Sequence, residues 1–397
     1  MQGMGTGRTG AVVLAVVGLL ALSSCTPGRT SAPRRTSAPA PVAPSPVSEP
    51  AATPATATTP TATTPPPTAT PAGAWAGHLV VGTGENDVTD LNPTAGGVYA
   101  LDNTPSHGGP VEHAAPLRYD TATHRVLFGA PITDAGAMTV TGGWAWVASN
   151  DPADPADMIV YRLDLNDLSV VATQDLRVRY VGPPGAAGVR TTLTATVNGP
   201  LWVAGGSTLY ALSPTTGAVL FKVPTEMAIF SLSTSQDGTV LYTAGESNSY
   251  RLVLIELDAR TGRTLATEDE SDSVAGGDVA ATDHGVWVSF RTGLQGVTVQ
   301  HDKATLAIVT NQSESAGAVG YSPFDQGMGE AANVSDGALW LAGLQGLACA
   351  DPVTGALRVV EPSVPSSIES VVARDGVLYG AGAGGLSVIT APRACFG

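Results

Sequence analysis

Asn198–Val223, NGPLWVAGGSTLYALSPTTGAVLFKV, reads as three strands in a row. Pro200–Gly205 is a short apolar run closed by Gly205-Gly206, and Ser207–Ser213 is the next strand. Pro214-Thr215-Thr216-Gly217 is turn chemistry, because proline presets φ and glycine accepts positive φ. Ala218–Val223 returns, and Leu193–Val197 supplies a fourth strand upstream. Four short antiparallel strands joined by tight turns make one small twisted sheet.

That sheet recurs. A Gly-bearing turn followed by an apolar run with one aromatic appears around Tyr99, Trp146, Trp202, Tyr242, Trp287, Trp340 and Tyr379, at separations of 39 to 56 residues. Seven such units at roughly 40–50 residues are the signature of a β-propeller. A second motif runs in phase with the first: LYALSPTTGAVL, then LIELDARTGRTLA (Leu254–Ala266) and LACADPVTGALRV (Leu347–Val359). The aromatic strand is apolar on both faces, as a strand between neighbouring blades must be, whereas a half-solvated strand alternates. The expected fold is all-β, a seven-bladed propeller of four-stranded antiparallel blades over residues 74–397.

LYALSPTTGAVLF resembles the repeat of quinoprotein-like (PQQ-like) propellers, with Phe221 where that pattern has Trp. The LWVAG strand resembles YVTN-type and streptogramin-lyase-type seven-bladed propellers. The resemblance covers most of Gly73–Gly397. Quinoprotein enzymes carry an adjacent cysteine pair and a calcium site beside the quinone. This chain has three cysteines, none adjacent, so PQQ is not expected. The resemblance then implies a non-catalytic relative, similar to scaffold propellers such as the outer-membrane assembly lipoprotein of that class.

The N-terminal part is of another kind. Arg8 precedes the apolar run Ala11–Leu22, whose 12 residues are too short to span a bilayer. Leu22-Ser23-Ser24-Cys25 resembles the bacterial lipobox, which implies residues 1–24 as signal peptide and Cys25 as the lipidated residue. Residues 25–73 read as a disordered tether. Thr26–Gly73 holds 13 prolines and no aromatic, Leu or Ile, and so cannot bury enough apolar surface to offset ordering entropy. The expected location is the extracytoplasmic face of the cell membrane, reached through the N-terminal lipid. Abundant Ala, Gly, Thr and Arg with only two Lys suit a GC-rich actinobacterium.

Of the net charge of −15, the propeller region holds 15 basic and 33 acidic residues. Nucleic acid and anionic head groups are therefore poor partners. Ca²⁺ could use Asp151, Asp154 and Asp157, or the run Glu268–Asp272, both read as loops. Zn²⁺ could use His107, Glu112 and His113. None of these sets has a recognised ligand spacing, so no metal is assigned. None of the six histidines matches the lyase motif, and no catalytic residue is named.

Three expectations concern placement. The last unit lacks an outer strand and His78–Gly82 is one too many, so this N-terminal strand should pair with Gly385–Thr390 and close the ring. With Cys25 lipidated, Cys349 and Cys395 are an even pair in an oxidising compartment, and a disulfide is expected. The long connections, outer strand to next inner strand and second strand to third, share one face. There Arg177, Arg179, Tyr180, Tyr321 and Phe324 are the candidates for contacting an extracytoplasmic protein or glycan. The protein is expected to act as a monomeric binding or scaffold module. A lyase- or lactonase-type enzyme with a metal-assisted site at the central channel is the alternative.

Overall fold

The computed structural model describes residues 76–81, 87–103, 113–151, 154–178, 191–273, 277–292, 295–311, 331–343, 346–361, 368 and 370–396. Seven antiparallel sheets follow one another around a ring. The first blade is β2 (Val88–Thr94), β3 (Gly97–Asp102), β4 (His113–Asp120) and β5 (Arg125–Phe128), with the two-residue β6 (Ile132–Thr133) also on β4. The second is β7 (Ala135–Thr141), β8 (Trp144–Asp151), β9 (Asp154–Leu163) and β10 (Val170–Arg177). The third is β11 (Thr191–Ala195), β12 (Leu201–Gly205), β13 (Thr208–Leu212) and β14 (Val219–Pro224). The fourth is β15 (Met227–Thr234), β16 (Val240–Ser247), β17 (Arg251–Asp258) and β18 (Thr264–Ser273). The fifth is β19 (Gly277–Ala281), β20 (Gly285–Thr292), β21 (Gln295–Asp302) and β22 (Ile308–Asn311). The sixth is β23 (Ala331–Ser335), β24 (Ala338–Gly343), β25 (Gly346–Ala350) and β26 (Leu357–Glu361).

The seventh blade is built from both ends of this region. β27 (Ser370–Arg374), β28 (Val377–Gly382) and β29 (Gly385–Thr390) are consecutive, and the outer strand is β1 (Ala76–Val81). The register runs Ala76↔Thr390, Gly77↔Ile389 and His78↔Val388. The expected closure is present, because without β1 the edge of β29 would be left unpaired.

Packing repeats with the blades. β12 is buried throughout, and Trp146, Trp202, Trp287, Trp340 and Tyr242 are among the largest fully buried side chains. These aromatics occupy the layers between sheets. Trp202, Leu209 and Ala211 of one blade pack with Leu241, Leu257 and Ala259 of the next. Each fully buried aromatic removes some 150–250 Å² from water, which makes these layers the main cohesive force of the ring.

Six blades share one turn between third and fourth strands. In each, the fifth residue is left-handed and its N–H bonds the carbonyl of the first: His124 to Asp120, Leu168 to Asp164, Gly217 to Ser213, Gly262 to Asp258, Leu306 to Asp302 and Gly355 to Asp351, all within 2.9 Å. The first side chain then caps the N–H groups inside the turn. Asp258 Oδ1 accepts from Arg260 and Thr261, Asp302 Oδ1 from Ala304 and Thr305, and Asp351 Oδ1 from Val353 and Thr354. Those bonds favour the ionised form. Led by the Thr354 N–H, they hold the Asp351 carboxyl down at about 2.

Three of these turns are also docking points for the preceding blade. The Trp202 indole N–H donates to Ala259 O at 3.0 Å, Trp287 to Pro352 O at 3.0 Å, and the Tyr99 hydroxyl to Leu165 O at 3.1 Å. The acceptor in all three is the second residue of the next blade's turn. Polar groups on third strands add to this, with Gln300 Nε2 donating to Val353 O at 2.9 Å and Arg118 Nη1 to Leu165 O at 3.3 Å. Phe221 docks as well. Its ring meets Trp202 edge-on at 5.5 Å, and a Cβ on Gly262 would come within 2.7 Å of it. Phenylalanine at this position therefore keeps the contact with the next blade's turn.

Candidate functional site: the channel and the loop-bearing face

Inner strands line the axis and are tied to one another by side chains that bond a neighbour's backbone. Ser370 Oγ accepts from Leu91 N at 3.2 Å, Ser335 Oγ from Ala373 N at 2.8 Å and Ser233 Oγ from Ala281 N at 3.0 Å, while Asn92 Nδ2 donates to Met138 O at 3.0 Å. Two carboxylates stand out among these short polar groups. Asp278, early in β19, spans three blades. Its Oδ1 accepts from Ser231 Oγ of β15 and from Val279 N at 2.9 Å, and its Oδ2 accepts from Ala332 N of β23 at 3.2 Å. Burial pushes its pKa up and these hydrogen bonds oppose the rise.

Asp90 sits in β2 with φ 55, where the pairing of β2 with β3 shifts register. Asn92 Nδ2 donates to its carbonyl at 2.7 Å, and the Thr89 hydroxyl to its Oδ2 at 3.3 Å. Burial raises the Asp90 carboxyl to about 7. The Thr89 bond opposes the rise, and the charge of Asp278 adds to it. Both side chains keep partial solvent contact although protein surrounds them. Near neutral pH, Asp90 can therefore hold or release a proton, which makes it a carboxyl suited to proton transfer in that range.

These two residues escaped the sequence reading. The available signal was a single Asp inside each of two inner strands, in Val88-Thr89-Asp90-Leu91 and Gly277-Asp278-Val279-Ala280.

The described histidines lie off the inner strands. His78 is on β1, His124 and His284 are in turns, and His301 is fully buried on β21 with Nδ1 2.8 Å from Leu306 O. His113 begins β4, 3.3 Å from Thr133 Oγ1. Its suggested Zn²⁺ partners His107 and Glu112 lie outside the described residues. No group of three or more His, Cys, Asp or Glu able to hold a metal occurs among the described residues.

The two acidic runs are corrected by the structure. Glu268–Asp272 belongs to β18 rather than to a loop, and a strand sends successive residues to opposite faces. Asp151 ends β8 and Asp154 begins β9, so this run is largely strand too. Asp154 and Asp157 both face Arg177 Nη1, at 3.5 and 3.1 Å. Arg177 is thus a local ion-pair partner with its side chain 80% exposed, and its carbonyl accepts from the Tyr210 hydroxyl. Arg179, Tyr180, Tyr321, Phe324 and Cys25 lie outside the described residues. Cys349 and Cys395 form the expected disulfide, with Cα atoms 5.6 Å apart.

The two faces of the ring differ. The turns of six third-to-fourth-strand connections satisfy their own backbone, and four of them accept a hydrogen bond from the preceding blade. The strand ends on the opposite face are joined by 103–112 between β3 and β4, 178–190 between β10 and β11, and 312–330 between β22 and β23, of which 104–112, 179–190 and 312–330 lie outside the described residues.

No family model and no curated protein sequence matches the chain. Among solved structures it is similar to BamB from Moraxella catarrhalis, at 12% identity and TM-score 0.51, over 80% of this chain and 97% of that one. It is also similar to the computationally designed Ika8 protein, at 14% identity and TM-score 0.49, over 78% of this chain and 98% of that one. The likeness to BamB is one of fold, the β-propeller.

Proposed function

We propose that the protein is a lipoprotein, anchored through Cys25 at the extracytoplasmic face of the cell membrane, whose propeller binds or scaffolds a protein or glycan partner with its loop-bearing face. The observation that carries this reading is the inequality of the two faces. Residues 1–24 act as signal peptide and 25–73 as tether. The register Ala76↔Thr390 puts the start of β1 at the end of a third strand, on the turn-bearing side. Long connections on a rigid scaffold are where binding residues concentrate, and Arg and Tyr are prominent in interface energetics.

The test replaces Arg177, Arg179, Tyr180, Tyr321 and Phe324 with Ala in the full chain and measures capture of envelope proteins and of cell-wall glycans in separate arms. Loss of one arm identifies the partner class. Unchanged capture, with loss on altering the turn-bearing face instead, overturns the reading. Anchoring is checked separately by Cys25→Ala, which should release the chain from the membrane fraction.

A lyase- or lactonase-type enzyme at the channel is the second reading. Asp90 and Asp278 favour it, and the placement of the described histidines away from the inner strands weighs against it. Turnover of a lactone panel abolished by D90N would establish it.

A further inference from the structure

In the second, third, fourth and sixth blades the third-to-fourth-strand turn accepts a hydrogen bond from the preceding blade. The seventh blade has no such turn, because its fourth strand β1 comes from upstream in the chain. After β29 the chain instead makes a short 3-10 turn, Arg393–Cys395. This turn occupies the place of the missing one. Trp340, the docking aromatic of the sixth blade, meets the Phe396 ring at 5.5 Å. Cys349 is the cross-strand partner of Trp340, as Gln300 is of Trp287 and Arg118 of Tyr99. Where Gln300 and Arg118 donate hydrogen bonds to the next blade's turn, Cys349 makes a covalent bond to Cys395. Arg358 Nη1 adds a bond to Cys395 O at 3.1 Å, and its Nη2 reaches Asp351 Oδ2 at 2.8 Å.

We propose that the Cys349–Cys395 disulfide is a redox latch on the one blade that is closed by both ends of the propeller region. Besides the disulfide, the 3-10 turn is held by the Arg358 bond to Cys395 O and by Phe396 against Trp340. Thr390, just before it, is the register partner of Ala76. Loosening the turn therefore loosens the end of β29 at the point where β1 enters the sheet. Reduction by a dithiol breaks the S–S bond, delivers two electrons and two protons to give two thiols, and oxidises the dithiol to its own cyclic disulfide. Both cysteines are fully buried, so reduction requires the 3-10 turn to lift first. The released element is β1, through which everything upstream joins the domain. Reduction thus changes how the N-terminal segment is held and leaves the other six blades closed.

Hydrogen–deuterium exchange read by mass spectrometry on the full chain, oxidised and after dithiothreitol, tests this. Peptides over 76–81 and 385–396 should lose protection on the order of tenfold or more, while 201–212 is unchanged. The double variant C349A/C395A should reproduce that local pattern without reductant. F396A, with the bond intact, should show a smaller loss confined to 391–396. Unchanged exchange at 76–81 on reduction, or equal loss at 201–212, overturns the proposal.

Discussion

The third and seventh blades solve one packing problem by different means. The third is contiguous from Thr191 to Pro224, and its turn at Ser213–Gly217 is closed by its own hydrogen bonds. The seventh takes three strands from the end of the chain and the fourth from residues 76–81. It presents to the sixth blade a 3-10 turn held by a disulfide. A contiguous blade can dock by hydrogen bonds and burial because its turn is pinned by strands on both sides. A turn with strand on one side only lacks that support, and here a covalent bond supplies it.

The largest test of this contrast is Trp202→Ala. It removes a fully buried indole and its bond to Ala259 O, and it should cost about 3–5 kcal/mol, measured by chemical denaturation. Equal stability of this variant and the parent would mean that interblade aromatics are not the main cohesion. Opening the other junction with C349A/C395A should cost about 2–4 kcal/mol, since the bond closes a loop of sequence separation 46.

Glycine substitutions sharpen the comparison between docked and undocked turns. Gly262 (φ +71) lies in a docked turn, and a Cβ there would come within 2.6 Å of Val223 Cγ2 and 2.7 Å of Phe221. Gly376 (φ +76), between β27 and β28, has nothing within 4 Å of that position. G376A should carry only the left-handed backbone cost, about 1 kcal/mol. G262A should cost about 2–3 kcal/mol, because the neighbouring blade must also move. Equal melting temperatures for the two variants would show that the interblade contact at Gly262 gives way freely.

A pH-dependent effect is expected at the channel, beside the seam where Leu91 N meets Ser370 Oγ. Asp90 is raised from 3.8 to about 7 in the fold. Its contribution to stability is fully present below about pH 3.8 and is lost as pH rises through about 7. D90N should therefore match the parent below pH 4 and exceed it above pH 7, by no more than about 4 kcal/mol. Parallel stability–pH curves for the two proteins would show that Asp90 titrates as an ordinary surface carboxyl.

Much of this architecture was legible in the residues. Aromatic runs with turn glycines marked all seven blades, and one missing and one surplus strand identified the closure. Three of the six turns were visible as Ser-Pro-Thr-Thr-Gly, Asp-Ala-Arg-Thr-Gly and Asp-Pro-Val-Thr-Gly. The other three place His124, Leu168 and Leu306 where glycine is expected, and all three adopt φ near +55 to +58. Their common sign is the leading Asp, which caps the turn whatever occupies the fifth position.

The candidate site was less legible, and the reason is distance along the chain. Hydrophobic period, turn chemistry and cysteine parity are local or countable properties, so the sequence by itself determined the blade number, the closing strand and the disulfide pair. Asp90 and Asp278 belong to the first and fifth blades, and their residue types alone give no sign that they share one channel. Closing the ring brings these inner strands around one axis and takes the two carboxyls out of bulk water. Tertiary structure alone likewise made Arg177 an ion-pair partner of Asp154 and Asp157 and turned the acidic run Glu268–Asp272 into strand. It also set Cys349 at a docking position, because only the stacking of sheet on sheet decides which side chain faces the next blade's turn.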